Sequence, residues 1–123
     1  MAKLVECVPN FSEGRRPEVI EEICKAISEE EGVVLLDHEM DPDHNRAVVT
    51  FVCDPKLAVN AAFRGIKKAS ELIDMSTHSG EHPRMGACDV CPFIPLGDMT
   101  IEDAVEIAHK LGKKVGDELD IPI

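Results

Sequence analysis

The chain contains no tryptophan and no tyrosine, and phenylalanine occurs only four times. That excludes a platform of aromatic rings for stacking single-stranded bases. The core must instead be built from Val, Ile, Leu, Met and Ala. Positive charge is also scarce: 13 lysines and arginines stand against 24 aspartates and glutamates, for a net charge of −11. Such a surface repels a phosphate backbone, so nucleic acid is not expected as a partner. An anionic small substrate needs local arginines, and Arg15, Arg16, Arg46, Arg64 and Arg84 are those available. No stretch approaches the roughly 18 consecutive apolar residues of a membrane helix. The start, Met1-Ala2-Lys3-Leu4-Val5-Glu6, has no apolar run of signal-peptide length. No membrane association and a cytoplasmic location are therefore expected. The five cysteines are odd in number and set in apolar segments, the pattern of reduced thiols and not of a disulfide framework.

The 123 residues are 44% hydrophobic and 30% charged, which fits one domain with a true core. Leu4 to Val8 reads as a strand ended by Pro9, followed by a polar loop from Asn10 to Gly14. Pro17 opens a helix whose apolar face is Val19, Ile20, Ile23, Cys24 and Ile27, with Gly32 as a left-handed stop. Val33 to Leu36 is a continuous apolar run, expected to be a strand covered on both faces. It leaves the core at Asp37-His38-Glu39, and a turn-rich connection from Met40 to Asn45 follows. Arg46 to Cys53 is a second β-branched run, expected to pair with the first as a hairpin.

Asp54-Pro55 combines a capping residue with proline at the first helical position. Ala58, Ala62, Ile66, Ala69 and Ile73 then form the apolar stripe of a second helix. Cys88 to Leu96 reads as a strand broken by Pro92 and Pro95, hence an edge or bulge. Thr100 to Asp103 resembles a capping box, and Ala104, Ala108, Leu111, Val115 and Leu119 mark a third helix. The order predicts an α+β sandwich of the ferredoxin-like βαββαβ type, with a mixed or antiparallel sheet and helices on one face.

The densest chemistry lies between Asp74 and Ala87. His82 precedes Pro83, is bracketed by Gly80 and Gly86, and has Glu81 and Arg84 beside it. Such an imidazole suits a general base near neutral pH; the plainer alternative is an exposed loop histidine. His78 and His82 with Cys88 and Cys91 have spacings that zinc sites use. Side chains alternate along a strand, however, which sends the two cysteines to opposite faces, and no metal is expected. Asp37, Glu39, Asp41, Asp43 and His44 read mainly as a solvated acidic loop. Asn45-Arg46 is more informative, since an arginine at a strand start can hold a carboxylate in two-pronged fashion. Asn10 and Ser12 are plausible polar contacts after the first strand.

Several of these stretches together resemble one family. Leu4 to Gly14, Asn45-Arg46 leading into Thr50-Phe51-Val52, Leu72 to Ser76, and above all Gly80-Glu81-His82-Pro83-Arg84-Met85-Gly86-Ala87 with Asp89 to Pro95 are similar to glutamate formimidoyltransferase, or formiminotransferase. The resemblance implies transfer of a formimino group from N-formimino-L-glutamate to tetrahydrofolate, in histidine degradation and one-carbon metabolism. Related members use a formyl donor. It implies two similar subdomains with substrate and folate between them, residues 1–123 being the N-terminal one, and a dimeric transferase region. His82 is the implied catalytic base. Arg84 and Arg46 are implied to meet substrate carboxylates, and Asp37 or Glu39 to stabilise the cationic formimino group. An aspartate is expected at position 39, so Glu39 departs from the pattern by one methylene. Asn10, Asn45, Arg46, Gly80 and Glu81 are the expected substrate contacts. Tetrahydrofolate is the expected co-substrate. A non-catalytic folate-binding or assembly module is the alternative.

Overall fold

The computed structural model describes residues 3–73 and 88–119. Its centre is the strand β4 (Arg46–Cys53), where Ala47, Val49, Phe51 and Cys53 are buried and the residues between them are only half-buried. This period of two gives one covered face and one open face. Strands β1 (Lys3–Cys7) and β2 (Asn10–Phe11) lie end to end along one side of β4, pairing Cys7 with Phe51 and Asn10 with Val48. Strand β3 (Val34–Asp41) pairs along the other side. Beyond β1 and β2 run β6 (Phe93–Gly97) and β5 (Cys88–Val90). All pairings are antiparallel. Joining the collinear strands gives the ferredoxin-like order, with the first strand row inside and the last at an edge.

The helices α1 (Pro17–Ser28), α2 (Pro55–Leu72) and α3 (Ile101–Leu119) cover one face. Their apolar stripes join Val5, Cys7, Phe11, Val49 and Phe51 in a single core. Gly32 has φ 95°, but α1 already ends at Ser28 with Glu29 as a right-handed cap, so the glycine does not stop the helix; it lies in the following turn, closed by the Val33 N–H on the Glu30 carbonyl at 3.3 Å, that leads into β3. Gly65 of α2 sits against Ile27 of α1, where a methyl group would meet the isoleucine side chain at 2.8 Å. Thr100 and Asp103 form a reciprocal box: Asp103 N–H donates to Thr100 Oγ1 and Thr100 N–H to Asp103 Oδ2, both at 3.1 Å. At α2 the Asp54 carboxylate accepts the Lys56 N–H at 2.9 Å. Asp54→Ala should therefore lower stability by about 1 kcal/mol, read as a shift of the urea midpoint at constant slope; no shift would remove the cap from the account.

The structure also corrects four other local expectations. Val34 and Leu36 are 58% and 57% exposed, so the apolar run is not covered on both faces; β3 is an edge strand and helices cover one side only. That strand also runs on to Asp41, because β4 offers pairing partners as far as Arg46, and the turn is confined to 42–45. Asn10 and Phe11 are strand and not loop. On α3 the buried row is Ala104, Ile107, Leu111 and Val115, while Ala108 faces solvent; the three-residue step to Ile107 keeps the stripe on one side. Among the described residues no helix is long and apolar enough to cross a membrane.

Candidate functional site

The register places the polar candidates. Across β3 and β4, Asp37 stands opposite Thr50, Glu39 opposite Val48 and Asp41 opposite Arg46. From the other side Asn10 also stands opposite Val48. Residues in direct register project to the same side of a sheet. Val48 and Thr50 alternate with the buried row of β4, so Glu39, Asn10, Asp37 and Arg46 all belong to the face without helices. Glu39, Val48 and Asn10 form one row across it, with Arg46 two residues along from Val48. The opposite end of the same face is apolar, with Leu4, Val34, Leu36 and Ile94 exposed.

Asn10 and Arg46 are held as a pair. Arg46 Nη2 donates to Asn10 Oδ1 at 2.5 Å, and Asn10 Nδ2 donates to the Val8 carbonyl at 2.8 Å. The second bond fixes which end of the amide meets the guanidinium. Arg46 Nε is buried and finds no acceptor among the described residues. A buried donor left unmet costs on the order of 1–3 kcal/mol, and groups retained at such a cost call for a functional explanation. Asp37 and Glu39 are exposed and contribute negative charge to the same surface.

Asn45 goes elsewhere. It is buried with φ 52°, a left-handed conformation that asparagine tolerates. Its Oδ1 accepts the Gly14 N–H at 2.8 Å, which turns the side chain toward the loop after β2. Asp41 closes the hairpin turn, accepting from Asp43 N–H at 3.1 Å and meeting His44 Nδ1 at 2.6 Å. The hydrogen bond from His44 holds the Asp41 carboxyl below its ordinary range.

Glu13 is the residue that sequence reasoning missed. It is 4% exposed. Its carboxylate accepts the Arg15 and Arg16 N–H groups, both at 3.0 Å, and Arg16 Nε at 2.7 Å. The available signal was an acid just ahead of a proline-started helix, where free N–H groups need acceptors.

His82, Arg84, Gly80 and Glu81 lie in 74–87, outside the described residues. No group of three or more potential metal ligands occurs among the described residues. Cys88 pairs in register with buried Phe11, and burial pushes the Cys91 thiol up to about 12, which disfavours the thiolate that metals bind.

This geometry joins an arginine oriented by an amide to two carboxylates on one open sheet face. The chain is similar along nearly its whole length to proteins of known name. It is 59% identical over 120 residues to glutamate formimidoyltransferase of Thermoplasma acidophilum, covering 98% of the chain and 40% of that protein. It is 50% identical over 123 residues to glutamate formimidoyltransferase of Streptococcus pyogenes, covering all of the chain and 41% of that protein. With the formimidoyltransferase-cyclodeaminase of Mus musculus it shares 52% identity over 123 residues, 23% of that protein. The chain thus spans about two fifths of the first two relatives and less than a quarter of the third. The family described as formiminotransferase domain, N-terminal subdomain, matches residues 4–123, and the chain belongs to that family.

Proposed function

We propose that the chain is the N-terminal half-site of a folate-dependent formimidoyltransferase, moving a formimino group from N-formimino-L-glutamate to tetrahydrofolate. The observation that carries this is the Asn10–Arg46 pair beside Asp37 and Glu39 on the open face. The donor has two needs that match. Its glutamate carboxylates require a fixed cation, and Arg46 offers one in a chain of charge −11. Its cationic formimino group favours a carboxylate, which Asp37 or Glu39 supplies. Glu39 shares a cross-strand row with Asn10, so its longer side chain still projects from the site's own row.

His82 takes the proton from the attacking amine nitrogen as that nitrogen bonds to the formimino carbon. It returns the proton to the glutamate nitrogen as the second carbon–nitrogen bond breaks. One group near its pKa serves both steps. Arg84 is assigned to substrate carboxylates, and Gly80 and Glu81 to contacts beside the base. Asn45 shapes the β3–β4 turn and reaches substrate only through Arg46, the next residue. The rest of the transferase region, a C-terminal subdomain in this reading, covers the open face. Its apolar end suits burial under a second layer, and its polar end becomes the wall of a closed site.

The test uses a polypeptide carrying this chain with the remaining length of its relatives. Formiminoglutamate and tetrahydrofolate should release glutamate, and formylglutamate measures the competing donor. Absence of glutamate release with either donor would leave the binding-module alternative. In the active polypeptide, Arg46→Ala should raise KM for the donor about tenfold or more, the scale of a charged hydrogen bond, with a smaller change in kcat. An unchanged KM would remove Arg46 from carboxylate binding.

A further inference from the structure

Glu13 is the one buried charged side chain among the described residues. Burying a carboxylate requires partners, and both its oxygens are engaged: Oε2 by the Arg15 and Arg16 N–H groups, Oε1 by Arg16 Nε. This fixes the near edge of the Arg16 guanidinium. The far edge, Nη2, donates to the Leu72 carbonyl at 3.3 Å. Leu72 is the last residue of α2, and α2 has no basic residue of its own in its last turn. Arg16, 56 residues earlier in sequence, supplies the cation that a helix C-terminus favours. Ile73 follows in extended conformation, buried, with its N–H on the Ala69 carbonyl at 2.8 Å.

The same loop has two other attachments. Gly14 N–H and Arg15 Nε reach Asn45 and the Pro42 carbonyl in the β3–β4 turn, at 2.8 and 2.9 Å. Asn10, at its start, holds Arg46. One seven-residue stretch, 10–16, therefore ties the substrate arginine, the hairpin turn and the exit of α2 to a common frame.

We propose that Glu13 and Arg16 are positioning residues of the transferase site: Glu13 orients Arg16, which fixes the α2 exit relative to the Asn10–Arg46 pair. The inference rests on the function proposed above, since His82 follows Leu72 by ten residues of sequence. Losing Arg16 releases the point from which the chain continues toward the base. It leaves Asn10, Arg46 and their bonds in place. Misplacement of a reacting group by about 1 Å can cost up to a hundredfold in rate. Arg16→Ala should thus lower kcat by about tenfold to a hundredfold, with KM for formiminoglutamate changed by no more than about twofold. Free guanidinium ion should restore part of the rate to Arg16→Ala and none to the parent. Glu13→Gln should lower kcat in the same direction, because its amide oxygen still accepts the backbone N–H groups but no longer carries the charge that holds Arg16.

A second readout is independent of activity. In the 123-residue chain, Arg16→Ala should speed amide hydrogen exchange at Ile73 and the last turn of α2, leaving the first turn unchanged. Unaltered exchange at Ile73 would overturn the clamp whatever the protein's activity. Faster exchange with an unchanged kcat per folded molecule would overturn the positioning role and leave a structural one. Faster exchange with a parent polypeptide that releases no glutamate would overturn the assigned function, and the positioning role with it, while leaving the clamp intact.

Discussion

Replacing His82 with alanine should lower turnover by about a hundredfold or more, the usual scale for a positioned acid–base group. The expectation comes from the reaction before it comes from the loop. An amine that attacks a formimino carbon becomes cationic as the bond forms, and the leaving amine must gain a proton before it departs. Two opposite transfers at one carbon are served by a group whose pKa lies near the working pH, and histidine is the side chain whose ordinary pKa does so. With Arg46 as the proposed carboxylate contact left intact in the variant, KM should hold while kcat falls. Removing Arg46 should show the reverse pattern. The pair of variants therefore separates binding from proton transfer on one protein. Steady-state turnover of the polypeptide carrying the whole transferase region checks it. Near-normal kcat in His82→Ala would move the proton-transfer role elsewhere, and the carboxylates of Asp37 and Glu39 on the open face would be next in line.

Much of this architecture was legible because it follows from local rules. The proline-started helices and the reciprocal Thr100–Asp103 cap depend on residues within a few positions of one another. The site was legible in part for another reason. Asn10 and Arg46 stood out as polar residues at the ends of apolar runs, and the register brings them into one hydrogen bond. What escaped is non-local. The Asn10–Phe11 strand exists because β4 on one side and β5 on the other receive it, both distant in sequence. The apolar run at 34–36 is half open because it lies at the sheet edge, a matter of strand order that periodicity does not encode. Asp37 and Glu39 read as solvated loop because nothing local reveals that they share a face with Arg46. Glu13 read as a loop acid because its burial depends on α2, the hairpin and α1 arriving together. Asn45 was singled out beside Arg46, yet adjacent residues diverge: one joins the open face, the other serves Gly14.

Gly14→Ala should be the most destabilising glycine-to-alanine change among the described residues, by about 3 kcal/mol, at the upper end of what overpacking costs. The reason is space and not backbone conformation. A Cβ at Gly14 would collide with the Asp41 carbonyl oxygen and the Arg46 N–H nitrogen, and would stand 2.7 Å from the Arg46 carbonyl oxygen. All three are backbone atoms at the base of the β3–β4 turn, and backbone in a paired hairpin cannot rotate aside as a side chain does. Gly65→Ala is the control. Its new methyl would meet Ile27 side-chain atoms at 2.8 and 2.9 Å, which yield more readily, and alanine recovers roughly 1 kcal/mol of helix propensity. The smaller loss should therefore fall on Gly65, although that residue lies between two packed helices and Gly14 lies in a loop. Separating loop from hairpin at Gly14 also strains the Gly14–Asn45 bond and the mount of Arg46. The donor KM should rise in Gly14→Ala at temperatures where the protein is still folded. Urea unfolding of both variants at constant slope gives the ranking. If Gly14→Ala lost no more stability than Gly65→Ala, the close backbone contact between the loop and the hairpin would not exist as described, and the common frame for Arg46 and the α2 exit would lose its foundation.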